Sequence, residues 1–128
     1  MKLLLDTHAA IWWINGHDGL SPETKAMLED DTNFVYVSIV SAWEIAIKTS
    51  CRKLPEFMGG SMAFLRWLDG IPVTLLPIAP RHVEVVETLP FIHRDPFDRL
   101  LVAVAKADGM TILTADENIR KYDVDSAW

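Results

Sequence analysis

The sequence predicts an α/β sandwich, in which a central, mainly parallel sheet is flanked by helices on both faces. Short apolar runs that suit buried strands alternate along the chain with longer segments of helical character. The strand-like runs are almost continuously apolar, as is usual for parallel strands that are covered on both faces. A length of 128 residues, with 50% of them apolar, fits one domain with a sizeable core. We therefore predict a single domain over residues 1–128.

Four segments have the composition of buried strands. The run "KLLL" (2–5) is too short and too apolar for an amphipathic helix, and "FVYVS" (34–38) is rich in aromatic and β-branched residues. The runs "VTLLP" (73–77) and "MTILT" (110–114) have the same character. In a parallel sheet the carboxyl ends of such strands meet at one edge, where α/β proteins bind their ligands.

Six segments between these strands are predicted to be helical. Ser21-Pro22 and Asp95-Pro96 each combine an N-cap residue with proline at the first helical position. Asn15-Gly16 and Gly109 are typical stop signals. The predicted helices are "THAAIWWIN" (7–15), "PETKAMLEDD" (22–31), "VSAWEIAIKTS" (40–50), "SMAFLRWLDG" (61–70), the segment from Pro80 to about Leu89, and "PFDRLLVAVAKADG" (96–109).

Composition and charge exclude several classes of protein. No apolar run approaches the roughly 18 to 20 residues that span a bilayer, and Asp6 interrupts the apolar start too early for a signal peptide. Cys51 is the single cysteine, so an intramolecular disulfide is impossible and a cytoplasmic location is expected. The net charge of −6 argues against binding nucleic acid through an overall positive field. Nucleic acid can still be a substrate, because bound divalent cations reverse the local charge.

Four acidic residues from separate parts of the chain are expected to meet at one edge of the sheet. Asp6 directly follows the first strand, Glu44 lies in the helix after the second, and Asp98 lies near the start of the last helix. Asp116 comes two residues after the last strand. Carboxylates gathered in a cleft repel one another unless a cation or protons intervene. All-oxygen ligation without a cysteine or histidine cluster favours Mg²⁺ or Mn²⁺ over zinc.

Each acid also has a purely structural interpretation. Asp6 can cap the helix that begins after it, Glu44 can pair with Lys48 at i,i+4, and Asp116 can begin a turn. Asp98 would occupy the third helical position, where an acid favours the helix dipole. Each of these interpretations explains a single residue, and the metal-site hypothesis rests on the four acids taken together.

Two histidines and a further acid lie close to these positions. Asp95, which precedes Pro96, is predicted to be a helix cap or a supporting group of the site. His8 and His93 are near candidate acids in the sequence, and for both we favour a surface or supporting position over a metal-ligand role.

Four motifs, in their order and spacing, resemble the PIN domains of VapC-type toxins from bacterial toxin–antitoxin pairs. They are "LLLDTHAAIWW", "VSIVSAWEIAIK", "HRDPFDRLLVAVA" and "ILTAD", and the resemblance extends to the closing "YDVDSAW". Any one motif is unspecific, but the ordered set is highly specific. The resemblance implies a PIN-like three-layer sandwich, a metal-dependent endoribonuclease activity and an acidic pocket for Mg²⁺ or Mn²⁺.

The resemblance also implies which residues act. By motif, the catalytic acids are Asp6 in "LLDTH", Glu44 in "SAWEI", Asp98 in "DPFDRLL" and Asp116 in "LTAD". Asp6 and Asp98 are expected to bind metal directly, while Glu44 and Asp116 complete the pocket as ligands or by orienting metal-bound waters. Thr114 matches the small hydroxyl residue that precedes the last acid of the family pattern.

Other polar residues are candidates for supporting roles. Ser38, at the end of the second strand, is predicted to assist the site. Lys48, Arg94 and Arg99 are close in sequence to the acids and are candidates for contacts with RNA phosphates. Lys48 and Arg99 can alternatively form ion pairs with neighbouring acids.

The resemblance implies two protein partners: a second copy of the chain in a homodimer, and a cognate antitoxin whose C-terminal segment lies across the groove beside the active site. An antitoxin arginine that reaches the carboxylates would replace the positive charge of the metal. The five tryptophans can serve either the core or such interfaces.

Two alternative functions are considered. A receiver-like signalling domain would need an acidic pair after the first strand and a lysine after a late strand, but Asp6 stands alone and "ILTADEN" has no lysine. A catalytically inactive PIN-fold binding module is disfavoured by the complete acidic set.

Overall fold

The computed structural model describes residues 1–54 and 59–128, and within them it confirms the α/β fold. A five-stranded sheet has the order β3-β2-β1-β4-β5, and every neighbouring pair is parallel. Its strands are β1 (Lys2–Leu5), β2 (Phe34–Ser38), β3 (Thr74–Leu76), β4 (Thr111–Leu113) and β5 (Ser126–Ala127).

All six predicted helices are present in the described ranges, with ends that differ from the prediction by one or two residues at most. A single 3₁₀ turn at Ile119–Lys121 follows β4. The helices are α1 (Thr7–Asn15), α2 (Pro22–Glu29), α3 (Ile39–Ser50), α4 (Gly60–Asp69), α5 (Pro80–Thr88) and α6 (Pro96–Asp108). None of these described helices is long and apolar enough to cross a membrane.

Strand β5 was not predicted from the sequence. Its two residues, Ser126 and Ala127, have no strand-like composition, and they are held by pairing with Ile112 and Leu113 of β4. The backbone N–H of Thr114 donates to the Ala127 carbonyl over 3.0 Å. The carboxyl end of β5 therefore lies beside that of β4.

Alternation along β1 explains why its sequence is apolar throughout. Leu3 and Leu5 belong to the core cluster that contains residues of α1, α3 and α4, whereas Leu4 belongs to the cluster formed mainly with α6. Successive side chains of a strand point to opposite faces, so a central strand between two helical layers buries every side chain. Burial of each leucine contributes about 1.5–3 kcal/mol.

Polar caps fix the starts of three helices at the carboxyl edge of the sheet. Asp6 caps α1, Ser38 caps α3 and Asp95 caps α6, each by accepting a hydrogen bond from a backbone N–H of the first turn. The caps of α1 and α3 directly follow β1 and β2. The sheet edge therefore presents helix N-termini, whose partial positive charge favours acidic groups.

Candidate active site

A pocket of about 500 Å³ lies at the carboxyl edge of the sheet, and it contains the four predicted acids. They come from the end of β1, from α3, from the first turn of α6 and from the loop after β4. The lining residues are Asp6, His8, Trp12, Glu44, Lys48, His93, Asp95, Asp98, Ala115, Asp116 and Trp128. The convergence of the acids is as expected, and their catalytic role stays a prediction.

Asp6 both caps a helix and lines the pocket. Its Oδ1 accepts from the Ala9 N–H over 2.7 Å, and its Oδ2 accepts from the Thr114 hydroxyl. The side chain is almost completely buried. Burial raises the pKa of Asp6, against the opposing effect of the hydrogen bonds from Thr114 and Ala9. The structural and functional interpretations of this residue are thus compatible.

Glu44 is fully buried, more deeply than its sequence surroundings suggested. Its Oε1 accepts from the Thr7 hydroxyl over 2.7 Å, and its Oε2 pairs with Lys48 Nζ over 2.5 Å. The i,i+4 ion pair considered from the sequence is therefore present. Burial lowers the pKa of Lys48, but the hydrogen bond and charge of Glu44 outweigh it, and the pKa is raised. Lys48 thus brings a positive charge to the pocket that Glu44 already engages.

Asp98 is a largely buried acid with other carboxylates close by. Desolvation by burial, together with the charges of Asp95 and Glu44, raises the pKa of Asp98 to about 7. Asp95 itself caps α6, because its Oδ1 accepts from the Phe97 N–H over 2.8 Å. Asp98 is therefore a carboxylate whose ionisation a bound cation would favour.

His93 belongs to the pocket, which the sequence analysis did not establish. Its Nε2 lies 2.9 Å from Asp116 Oδ2 and 3.2 Å from Asp98 Oδ2. Among the described residues, these three side chains offer donor atoms that all lie within 4.8 Å of one another. The signal in the sequence that could have located His93 was its position two residues before Asp95, the cap of α6. His93 is thus in direct contact with two site acids rather than at the surface.

The hydrogen bonds of His93 define its tautomer. The backbone N–H of Asp95 donates to His93 Nδ1 over 3.0 Å, so this nitrogen is an acceptor and the ring hydrogen lies on Nε2. Nε2–H then points to the carboxylates of Asp98 and Asp116. The backbone N–H of His93 in turn donates to the Tyr122 hydroxyl over 2.9 Å. In this arrangement His93 is a hydrogen-bond donor to the acids and not a metal ligand.

Asp116 and Asp6 are linked through Thr114. The Asp116 N–H donates to Thr114 Oγ1 over 3.0 Å, and the same hydroxyl donates to Asp6. Burial raises the pKa of Asp116, but the hydrogen bonds from His93 and the Asn118 N–H prevail and lower it. Asp116 is thus held in its charged form. Thr114 thus contacts two acids, and its supporting role stays a prediction.

Two predicted supporting residues have other positions. Arg99 is buried, donates from Nη1 to the Pro90 carbonyl over 2.9 Å, and places Cζ 4.4 Å from the centroid of the Phe91 ring. The guanidinium is thus bound to the loop before α6, and Arg99 is not among the residues that line the pocket; its contact with RNA phosphates stays a prediction. Ser38 is fully buried, and its Oγ accepts from the Val40 N–H over 3.1 Å. It supports the start of α3 and does not line the pocket.

Arg94 is exposed and is not among the residues that line the pocket. It remains a prediction as a contact for more distant RNA phosphates. Lys48, by contrast, lines the pocket directly.

The donor set fits a hard divalent cation. Asp6, Asp98 and Asp116 bring carboxylate oxygens to one pocket, as Mg²⁺ and Mn²⁺ prefer. Both oxygens of Glu44 already have protein partners, which favours an orienting role for this residue. Burial first, and then the charges of Asp95 and Glu44, raise the pKa of Asp98, and a bound cation would offset both effects.

Comparison with known proteins agrees with this description. Residues 3–125 match the PIN domain family. Over 123 residues the chain is 27% identical to Ribonuclease VapC22 from Mycobacterium tuberculosis. The aligned region covers 94% of this chain and 91% of that protein.

Two solved structures share the fold at low sequence identity. VapBC2 from Rickettsia felis, bound to a DNA fragment from its promoter, has a TM-score of 0.72 at 14% identity. The superposition covers 99% of this chain and 98% of the Rickettsia felis chain. DNA-bound VapBC from Salmonella typhimurium has a TM-score of 0.69 at 13% identity, with 99% and 97% covered. At these identities the likeness shows the fold alone.

Proposed function

Because this chain belongs to the PIN domain family, we propose that it is a metal-dependent endoribonuclease that hydrolyses RNA phosphodiester bonds. The observation that carries the proposal is the convergence of Asp6, Glu44, Asp98 and Asp116 in one pocket. The relative from Mycobacterium tuberculosis is named a ribonuclease, which supports the same reaction.

The proposed cofactor is Mg²⁺ or Mn²⁺, held by Asp6, Asp98 and Asp116. When bound, the cation supplies Lewis-acid polarisation of the phosphate and lowers the pKa of a coordinated water. Glu44 has a different role, because its carboxylate forms an ion pair with Lys48 and accepts a hydrogen bond from the Thr7 hydroxyl. It completes the pocket by positioning groups around the cation.

The chain's own residues orient the reacting groups. Thr114 keeps the carboxylates of Asp6 and Asp116 in fixed relation, and His93 does the same for Asp116 and Asp98. Lys48 places a positive charge at the pocket, where it faces the negative charge of a phosphate. No serine or cysteine nucleophile is needed, since water is the attacking group in this chemistry.

We further propose that the protein is the toxin of a toxin–antitoxin pair and acts in the cytoplasm as a homodimer. Related folds are found in VapBC complexes from two bacteria. The acidic pocket suits inhibition by an antitoxin arginine, because a guanidinium forms bidentate, charge-assisted hydrogen bonds with carboxylates.

Cleavage of cellular RNA tests this proposal. The purified protein is incubated with total RNA in Mg²⁺, in Mn²⁺ and in excess chelator, and product ends are mapped. We expect discrete products with either metal and none in chelator. Asp6→Asn should be inactive yet folded, because asparagine retains the helix cap while it removes the charge. Expression that leaves bacterial growth unaffected would contradict the toxin role.

A further inference from the structure

Aromatic side chains line the pocket together with the acids. His8 and Trp12 come from α1, and Trp128 directly follows β5. We call these three residues the aromatic wall. The hydrolysis proposed above uses none of them, and their presence beside a cluster of carboxylates calls for a separate explanation.

The fold itself brings the aromatic wall to the acids. Trp128 follows Ala127, which pairs with Leu113, so it leaves the sheet at the edge where β4 leads into Asp116. His8 and Trp12 are one helical turn apart on α1, and their ring centroids are 6.1 Å apart. The rings of Trp12 and Trp128 are 5.8 Å apart and tilted by 57°. The three rings therefore form one continuous surface.

Trp12 is held in place from behind. The His17 ring stacks on it at 4.8 Å with an interplanar angle of 12°. Gly19 also approaches closely, since a Cβ at this position would lie 2.6 Å from a Trp12 ring carbon. The Gly19 N–H donates to His17 Nδ1 over 2.8 Å, which fixes the stacked ring. Trp12 is thus preorganised and loses little freedom when it binds a planar group.

We infer that the aromatic wall binds a nucleobase of single-stranded RNA beside the phosphate at the acids, an inference that rests on the proposed function. Bases stack on aromatic side chains without regard to sequence, and this contact needs no positive charge. That property matters here, because the chain has a net charge of −6. Among the described residues that line the pocket, Lys48 is the one lysine or arginine. Lys48 is already paired with Glu44.

The shape of the pocket and the chemistry of stacking limit the substrate. A volume of about 500 Å³ lies within the range of about 300–1,000 Å³ that is typical of pockets for small molecules. A base can stack on the wall only if its face is free, and in a duplex neighbouring bases cover both faces. The inferred substrate segment is therefore an unpaired loop, bulge or end.

Binding of short RNA to Trp128 variants tests this inference. Trp128→Phe keeps an aromatic face, Trp128→Leu keeps only apolar bulk, and Trp67→Leu is the control, since Trp67 is 48% exposed and does not line the pocket. The probe is a labelled hexauridine, compared with hexamers that carry one abasic ribose at each position in turn. Binding is measured by anisotropy in Ca²⁺, and gels establish that the RNA remains intact.

We expect Trp128→Leu to weaken hexauridine binding by about 5- to 150-fold, with a smaller loss for Trp128→Phe and none for Trp67→Leu. An abasic ribose at one position should weaken binding to the wild type similarly, yet have little effect on Trp128→Leu. Such coupling between the abasic ribose and Trp128→Leu identifies stacking of the base on Trp128. A merely structural role of Trp128 would not produce this coupling. Wild-type affinity in Trp128→Leu, or an equal loss for every abasic probe, would overturn the inference.

Cleavage assays on the same preparations separate the two proposals. If the wild type cleaves RNA in Mg²⁺ but the coupling is missing, the stacking inference fails alone. If the coupling is present and neither the wild type nor any variant cleaves RNA, the aromatic wall is supported as a base-binding surface and the nuclease proposal fails.

Discussion

His93 Nε2 lies 2.9 Å from Asp116 Oδ2 and thereby joins the loop before α6 to the loop after β4. The backbone N–H of Asp95 fixes the other ring nitrogen, so the histidine can act at the acids only as a donor. This contact connects two parts of the site that are distant in the sequence, and it gives the first prediction.

Loss of the His93 donor should weaken metal binding. We expect His93→Leu to reduce Mn²⁺ affinity by about 10- to 100-fold, because the carboxylates of Asp98 and Asp116 lose the group that orients them. His93→Gln should lose less, since its amide can still donate. Isothermal titration with Mn²⁺ measures both variants, and His17→Leu, outside the acid cluster, is the control. Unchanged affinity in His93→Leu would contradict the orienting role.

Asp98 should make the metal-free protein less stable as the pH rises. Its pKa is raised from 3.8 to about 7 on folding, so the folded state retains a proton that the unfolded state has already released between these values. Stability therefore falls from about pH 4 to pH 7, and the full penalty applies above pH 7.

Asp98→Asn removes this penalty. In chelator at pH 8 the variant should be more stable than the wild type, by at most about 4 kcal/mol from the size of the shift. The difference should shrink towards pH 4, where the wild-type carboxyl group is protonated. Urea unfolding at the two pH values measures it, and an equal difference at both would show that the charge of Asp98 is not the cause.

Thr114 offers a test of the link between Asp6 and Asp116. Thr114→Val keeps the side-chain volume but removes the hydroxyl that donates to Asp6 and accepts from the Asp116 N–H. We expect a loss of Mn²⁺ affinity of about 10- to 100-fold, while Thr114→Ser retains most of the affinity. Equal affinities for the valine and serine variants would exclude a role for the hydroxyl.

Arg99 should matter for stability rather than for RNA. Arg99→Met removes the side-chain donor to the Pro90 carbonyl and one of the two donors to the Tyr122 hydroxyl, and we expect the free energy of unfolding to fall by about 1–3 kcal/mol. The exposed Arg94, changed to methionine, should alter it by less than about 0.5 kcal/mol. A greater loss for Arg94→Met than for Arg99→Met would contradict this assignment.

The sequence was sufficient to predict which acids meet, because Asp6 and Asp116 follow parallel strands whose carboxyl ends share one edge. Glu44 and Asp98 could be placed by helical periodicity and by the Asp95-Pro96 start signal. The two-residue strand β5 could not be predicted, since pairing with β4 creates it. The position of Trp128 beside the pocket was missed for the same reason.

The positions of loop residues and of the buried arginine also could not be predicted from the sequence. His93 lies in a loop whose conformation is set by contacts with Asp95 and Tyr122, and neither contact has a sequence signature. Arg99 was a candidate for contacts with RNA phosphates because it is close in sequence to the site acids. One helical step of about 100° is enough to turn its side chain to another face.

RNA cleavage by Asp98→Asn is the decisive test of a metal-dependent carboxylate site, with Asp31→Asn as a matched control on an exposed acid at the opposite end of the sheet. We predict that the wild type and Asp31→Asn cleave RNA in Mg²⁺ or Mn²⁺ and not in excess chelator. We also predict that folded Asp98→Asn loses roughly 100-fold or more of the rate. Wild-type cleavage by Asp98→Asn, or equal cleavage with and without chelator, would contradict a metal-dependent carboxylate site.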